Sequence, residues 1–480
     1  MTTDQMIAFS IYVSGALLLS LAAVLTLGTA MEVEGRFRRF MVPSLFLIVI
    51  GYLGISTALS GRNVSTHVHM SDPSATILAI KAVKGLTIVT ALTACLVRLL
   101  AASFSRGNSG NGGSSLFLAF CLFFLTNTVL TSAFGTQPDF MYYHYYAPFL
   151  FAAVFASRTQ DPEIAIRFAK CGLLIFLAGS CIAAIVAPDL AIQRMYAGWI
   201  PGITIRFWGL ASHANSMAPL ALLYLLVTIH QPFERRWLRH LGLVMAVTAL
   251  VLAQSKTTWV AAAFAIPLLL VLRSHFSWTP GNGRRAQAPN KIGRAGASLV
   301  ALGVLGVSAL LVLPEMGVSV DRVLAPTARN EIATLTGRDI IWAVAVDEWR
   351  RNPLFGYGVT MWDDAFRIQI GLDEATSAHN QFLESLGAAG LVGLIGLIAY
   401  VGILLLFAIN SRRATRGLSV AVFTMILVRC FTETPLEVGA FLTSDFIAHL
   451  LLFHLALGQS YRVASAVRPA TTLILPARGS

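Results

Sequence analysis

The sequence predicts an all-α polytopic membrane protein of about twelve or thirteen transmembrane helices, with one long external (periplasmic) loop carrying short interfacial helices. Three observations predict it. Hydrophobic residues make up 56% of the 480 residues and charged ones only 12%, whereas soluble domains carry roughly a quarter charged residues. Long apolar runs recur from Met6 to Gly458, leaving no polar stretch large enough for a separate soluble domain. The basic residues alternate between successive loops, as they do in multi-span proteins.

Apolar runs of about 15–25 residues are read as spans. They fall near 6–30, 40–60, 78–101, 115–133, 146–157, 166–187, 214–230, 238–253, 257–273, 296–313, 383–408, 418–431 and 440–458. Only Asp4 is charged before the first run, so the basic start of a cleavable signal is lacking and that run is expected to stay as an anchor. One set of loops holds Arg36, Arg38 and Arg39; Arg98 and Arg106; Arg158, Arg167 and Lys170; Arg235, Arg236 and Arg239; Arg273, Arg284, Arg285, Lys291 and Arg294; Arg412, Arg413 and Arg416; and Arg462, Arg468 and Arg478. All lie on one side if the N-terminus is outside. The net charge of +12 is therefore topological and does not indicate nucleic acid. The loop 314–378 then faces outward. The segment 279–293 has a linker's composition. Cys95, Cys121, Cys171, Cys181 and Cys430 sit in or beside apolar runs without metal-ligand spacing. No Walker loop, zinc motif, EF-hand or Asp-x-Asp nucleotide-sugar site is present.

Within the long loop, TGRDIIWAVAVDEWRR (336–351) carries Ile341, Ala345 and Trp349 at helical spacing and suits an interfacial helix. Asn352-Pro353 ends it, and Gly356 and Gly358 permit a tight backbone path through NPLFGYG. His379 and Asn380 stand immediately before a long apolar helix, at the outer membrane face.

The order GR-D-I-I-W, PLFGYG and HNQFLESLGAAGLVGL closely resembles the C-terminal signature of the O-antigen ligase and Wzy-type polysaccharide polymerase superfamily. RFWGLASHAN (206–215) is similar to the family's Arg-x-x-Gly segment and following turn, with Ala214 where many relatives have proline. AQSKTTW (253–259) and RCFTETPLE (429–437) resemble the exopolysaccharide-polymerase branch. The resemblance covers about residues 200–445 and implies a metal-independent, cofactor-free glycosyltransferase with a GT-C-like fold. It would act at the outer face of a bacterial inner membrane on glycans carried by undecaprenyl pyrophosphate. It also implies a partner flippase and a chain-length regulator. The implied organisation is N-terminal helices over 1–195, a catalytic membrane region over 196–460 including the loop 314–380, and a cytoplasmic tail over 461–480.

The residue chemistry supports these roles. An acceptor hydroxyl needs a base, for which histidine is suited near neutral pH, and a departing pyrophosphate needs cations. His379 is assigned as base, Arg206 and Arg338 as a guanidinium clamp, and Lys256 as a further phosphate contact, with His213, Asn380, Arg429 and Glu433 as substrate-binding candidates. Other readings stand beside these. His379 could cap the next helix, Arg338 could pair with Asp339 or Asp347 or anchor at the interface, and Arg206, between Trp199 and Trp208, could snorkel. Arg429 with Glu433, and Asp445 with His449, have four-residue spacings that suit structural pairs. Tyr142 to Tyr146 reads as an interfacial belt, with sugar stacking as the rarer use. The leading function is polymerisation of lipid-linked repeat units into a surface polysaccharide. An O-antigen ligase delivering the glycan to lipid A core is the near alternative, and a lipid-linked oligosaccharide flippase or transporter the one from another class.

Overall fold

Hydrophobic runs become helices wherever the chain can be followed. The computed structural model describes residues 39–65, 73–104, 113–276 (apart from 197, 199 and 201), 338–458 (apart from 373, 374 and 440) and 460. The runs near 6–30 and 296–313, the 279–293 linker, the loop up to 337, Trp199 and the tail 461–480 lie outside the described residues.

Among the described residues, six helices are long and apolar enough to cross a membrane. They are α1 (Met41–Leu59), α2 (Pro73–Phe104), α3 (Ser114–Phe134), α5 (Pro162–Val186), α8 (Lys256–Phe276) and α11 (Gln381–Asn410). Between them lie α4 (Tyr146–Ala156), α6 (Ala214–His230) and α7 (Arg236–Leu252). The long loop contributes α9 (Arg338–Arg351) and α10 (Asp364–Ile370), and α12 (Leu418–Cys430) and α13 (Ser444–Ala456) follow α11. The protein is thus an all-α polytopic membrane protein. A two-stranded ribbon that hydrophobic periodicity did not suggest joins α5 to α6: β1 (Ile192–Arg194) runs antiparallel to β2 (Ile205–Phe207), with Gln193 opposite Arg206.

Helix starts follow local chemistry. Asp161 caps α5 by accepting from the Glu163 amide at 3.0 Å, with Pro162 in the first turn. Thr443 caps α13 in the same way. α12 and α13 have 13 residues each, or about 20 Å at 1.5 Å per residue, short of a hydrocarbon core of roughly 30 Å. Each is therefore too short to cross the hydrocarbon core on its own, and any connection that falls inside it needs its backbone polar groups satisfied by protein.

α11 is where the long loop is joined to the bundle. Gly390 has φ 65° and ψ −163°, a combination closed to other residues, and it breaks the helix. PLFGYG fills the gap. The amides of Leu391 and Val392 donate to the carbonyls of Pro353 and Leu354 at 2.9 and 3.2 Å. In return the Tyr357 and Gly358 amides donate to the Gly387 and Ala388 carbonyls at 2.9 and 3.0 Å. Thr131 of α3 donates its hydroxyl to the Ala388 carbonyl at 2.6 Å, and the Gln137 amide donates to the Tyr357 carbonyl at 2.7 Å. The glycines of the motif let two backbones lie side by side, as expected of Gly356 and Gly358. α3 itself carries a π turn at Leu125–Val129, where Asn127 reaches across to donate to the Gly393 carbonyl at 2.9 Å.

The core is aromatic around α3, α4, α11 and α13. Phe120 stacks on Phe151 at 3.9 Å, and Phe123 on Tyr400 at 5.0 Å. Two expected pairings are redistributed. His449 hydrogen-bonds the Tyr400 hydroxyl at 2.7 Å instead of Asp445. Asp445 takes Arg429 in a two-armed pair whose second contact is 3.3 Å, so Arg429 is not the direct partner of Glu433. In both cases a neighbouring helix offers a closer partner than the next turn of the same helix.

The connections sort into two ends. One gathers 60–65, 135–145, 187–213, 253–255, 338–380 and 431–443, as when Arg62 donates to the carbonyls of Leu190, Gly209 and Ser212. At the other end Lys170 donates to the Gln231 carbonyl at 2.6 Å, and His230 pairs with Glu163 at 3.0 Å.

A methyl on Gly390 would lie 2.3 Å from the Leu354 carbonyl carbon, whereas one on Gly402 meets nothing within 4 Å. Gly390→Ala is therefore expected to destabilise the folded protein by more than about 2 kcal/mol, and Gly402→Ala by less than about 0.5 kcal/mol. Thermal unfolding in detergent, followed by tryptophan fluorescence, checks this. Equal effects of the two would contradict the splice.

Candidate functional site

At the first end, one carboxylate collects groups from four parts of the chain. Glu433, whose side chain is 14% exposed, lies just past α12. Its Oε2 meets His379 Nδ1 at 3.1 Å. Its Oε1 accepts from Asn215 Nδ2 at 3.1 Å and lies 3.4 Å from Arg338 Nη2. Burial alone would raise this carboxyl, but the hydrogen bond and charge of His379, with Arg429 and Arg338, hold it below the usual carboxylate range.

The clamp residues are fixed from the same centre. Arg338, the first residue of α9, also donates to the Thr432 carbonyl at 2.8 Å. Its carboxylate partner is Glu433, while Asp347 goes to Arg350 at 3.1 Å, so the helical-neighbour alternative is set aside. Arg206, on β2, donates to the Ala253 carbonyl at 3.0 Å and to Asn215 Oδ1 at 2.8 Å, with its guanidinium 4.8 Å from the Tyr196 ring centroid. Asn215 thus links Arg206 to Glu433 by its two amide atoms. Lys256 begins α8 directly before Thr257, whose hydroxyl accepts from that of Thr432 at 2.7 Å. Arg338 beside Glu433, and Arg206 linked to it through Asn215, bring two guanidinium groups to one ionised carboxylate.

His379 has φ 47°, an uncommon conformation for a side-chain-bearing residue. Helix capping, one reading of His379, falls instead to Asn380. Its Oδ1 accepts from the Phe382 and Leu383 amides at 3.0 and 3.2 Å, and its Nδ2 donates to the Phe431 carbonyl at 3.3 Å. Asn380 is committed to the helix start and is a poor substrate contact. Because an ionised carboxylate only accepts, His379 Nδ1 carries the hydrogen between them, and in the neutral form of the ring Nε2 keeps its lone pair. Arg429 is 2% exposed and committed to Asp445, so it reaches the site through its charge and presents no donor to a substrate. His213 caps α6 through Nδ1, 3.1 Å from the Asn215 amide, and stands edge-on to Trp208 at 4.4 Å. It orients Asn215. Among the described residues no three His, Cys, Asp or Glu side chains are grouped to hold a metal ion.

Three participants were not singled out from the sequence. Asn215 and Thr257 were only letters within motifs, and Arg62 carried no signal of its own. Arg62 stands 5.4 Å from the Trp208 ring centroid and braces the loop before α6, its charge pushed down to about 10 by burial.

Residues 241–398 match the family model described as O-antigen ligase. This stretch is a domain of the O-antigen ligase/Wzy superfamily. The ligase-family domain begins in α7 and ends within α11, so it contains Lys256, Arg338, His379 and Asn380. Arg206, Asn215 and Glu433 lie outside the matched residues, on either side, and the fold brings them to it. The match over these residues supports a glycosyltransferase-like ligase or polymerase and, in general, lipid-linked glycan substrates, and the apolar helices support a multi-pass membrane protein. No curated protein matches the chain.

Burial holds His213 at about 4, with Arg206 adding to the effect, against 6.5 for a free histidine. Between these values the unfolded chain takes up more protons than the folded one, so stability falls as pH is lowered through that window. His213→Asn keeps a capping oxygen without a titrating ring. Its melting temperature is expected to fall less than that of the wild type between pH 6.5 and 4. Parallel curves would place the loss elsewhere.

Proposed function

We propose that the protein is a membrane glycosyltransferase that polymerises lipid-linked repeat units into a surface polysaccharide, at the periplasmic face of a bacterial inner membrane. The observation that carries this reading is the shared carboxylate: one oxygen of Glu433 meets His379 and the other meets Arg338 and Asn215. A base and a cationic anchor are thereby held at fixed separation, which acyl-free glycosyl transfer requires.

In the proposed step an acceptor hydroxyl attacks the anomeric carbon of the donor glycan as the bond from that carbon to the pyrophosphate oxygen breaks. The electron pair leaves with undecaprenyl pyrophosphate, whose developing charge is met by Arg206, Arg338 and Lys256. The hydroxyl proton passes to His379 Nε2, and Glu433 stabilises the imidazolium through Nδ1. His213, Asn215 and Arg429 position these groups. The catalytic unit is assigned to residues 196–460, on the support of Arg206 at one end and Glu433 at the other meeting the matched domain.

The Ser-Lys-Thr and Thr-Glu segments at 255–257 and 432–433 meet through Thr257 and Thr432, which supports the exopolysaccharide-polymerase branch. Transfer to lipid A core uses the same base and clamp and differs in the acceptor. The alternation of basic loops supports the periplasmic placement, because the polar cluster lies at the end opposite Lys170 and Arg273. That outer concentration of charge also speaks against a transporter, whose coupling groups lie at mid-membrane.

Purified protein is expected to convert undecaprenyl-pyrophosphate oligosaccharide into a ladder of longer glycans in detergent with EDTA. His379→Ala is expected to reduce the rate by about 10²–10⁴, and Arg338→Lys by more than about tenfold through loss of the planar fork. Gel analysis of product length reads both. Modification of added lipid A core without a ladder would assign the ligase reaction, and neither product would overturn the reading.

A further inference from the structure

The connection after α12 carries a second group of polar side chains, past the carboxylate centre. Glu437, four residues beyond Glu433, is exposed at its surface, yet it is set among enough protein that burial, with Asp445 adding to it, lifts its carboxyl to about 7. Gly439 stands between this carboxyl and the His144 ring: a methyl there would lie 3.1 Å from His144 Nε2 and 3.5 Å from Glu437 Oε1. Neither the His144 ring nor the Glu437 carboxylate has a hydrogen-bond partner among the described residues.

The turn Tyr142–Tyr145 supplies the other wall. Tyr143 stands edge-on to His144 at 4.6 Å and to Tyr142 at 5.6 Å. Tyr142 is 73% exposed and Tyr143 40%. Burial pushes His144 down to about 4 against the opposing effect of Asp139, so near neutral pH the ring is uncharged, with one donor and one acceptor. No fixed cation faces these groups in the contacts above, and Asp139 and Glu437 make this surface unfavourable for a phosphate. Exposed aromatic rings beside an unpaired carboxyl and a neutral imidazole suit a neutral polyol. Its C–H face covers a ring while its hydroxyls bridge the polar pair.

We propose that Tyr143, His144 and Glu437, kept apart by Gly439, form a subsite for a sugar ring of the acceptor glycan. This rests on the glycosyl-transfer reading above and adds to it where the acceptor sits. Arg206 lies on the Asn215 and Ala253 side of Glu433, and Arg338 reaches it beside the Thr432 carbonyl. The subsite lies past Leu436, whose amide donates to Gln381 Oε1 at 2.8 Å, two residues beyond His379. A glycan held there arrives beside the base without competing for the arginines. The interfacial-belt use of these tyrosines would leave His144 and Glu437 with no role in binding.

The test uses the full chain in nanodiscs and two probes: the repeat-unit oligosaccharide freed from its lipid pyrophosphate, and undecaprenyl pyrophosphate without a glycan. Titration calorimetry of Tyr143→Ala, Glu437→Gln and Gly439→Ala is expected to show the free glycan bound about tenfold or more weakly. Lipid pyrophosphate binding should be unchanged, and Tyr143→Phe should retain the glycan. His379→Ala should also retain it, which separates this site from the base. Wild-type affinity for the glycan in all three variants, or no binding by the wild type, would overturn the subsite while leaving the clamp reading to its own assay. In turnover measurements the variants should raise KM for the acceptor. A rise confined to the donor would overturn the acceptor assignment.

Discussion

A buried carboxylate must be satisfied or neutralised, and Glu433 is satisfied by groups that no single stretch of chain could provide. Asn215 comes from the start of α6, Arg338 from α9, His379 from the residue before the α11 cap, and the field of Arg429 from α12. Removing one partner of such a centre leaves a charge short of compensation, at a cost of about 3–5 kcal/mol for a fully buried pair. Closing the bundle and assembling the site are therefore one event. The same carboxylate orients the His379 ring through Nδ1, so the geometry that stabilises the fold also positions the base of the proposed reaction.

Precision at His379 comes from the broken helix below it. Gly390 releases two amides and two carbonyls of α11, and PLFGYG takes up both. This locks the long loop to the bundle within a few residues of the histidine. Asn380 caps the helix and leaves the imidazole to Glu433, while φ 47° at His379 turns the ring toward it. The Glu433 side chain is only 14% exposed, and the low dielectric of a buried site strengthens each of these contacts.

Much of this was legible in the sequence for a physical reason: the bilayer allows few solutions, so apolar runs at 40–60, 166–187 and 383–408 could only be helices. The site candidates His379, Arg338, Arg206 and Glu433 were legible as polar residues in a motif at the outer boundary, and they do converge. Partner choice was not. Arg429 and Asp445, or Tyr400 and His449, find each other across helices, and spacing along one helix carries no record of that. Asn215 was hidden as the last residue of a motif, and only the fold reveals that its amide spans Arg206 and Glu433. The ribbon at 192–207 was too short for any period to mark.

The central claim is that Glu433 acts through His379, and a double-mutant cycle measures that directly. Initial rates of glycan extension would be compared for wild type, Glu433→Gln, His379→Ala and the double variant, with folding checked by gel filtration. The account predicts that Glu433→Gln slows the wild type by about tenfold or more but costs little further once His379 is gone. Independent, multiplying losses would show that the carboxylate serves some other part of the reaction and would contradict the account.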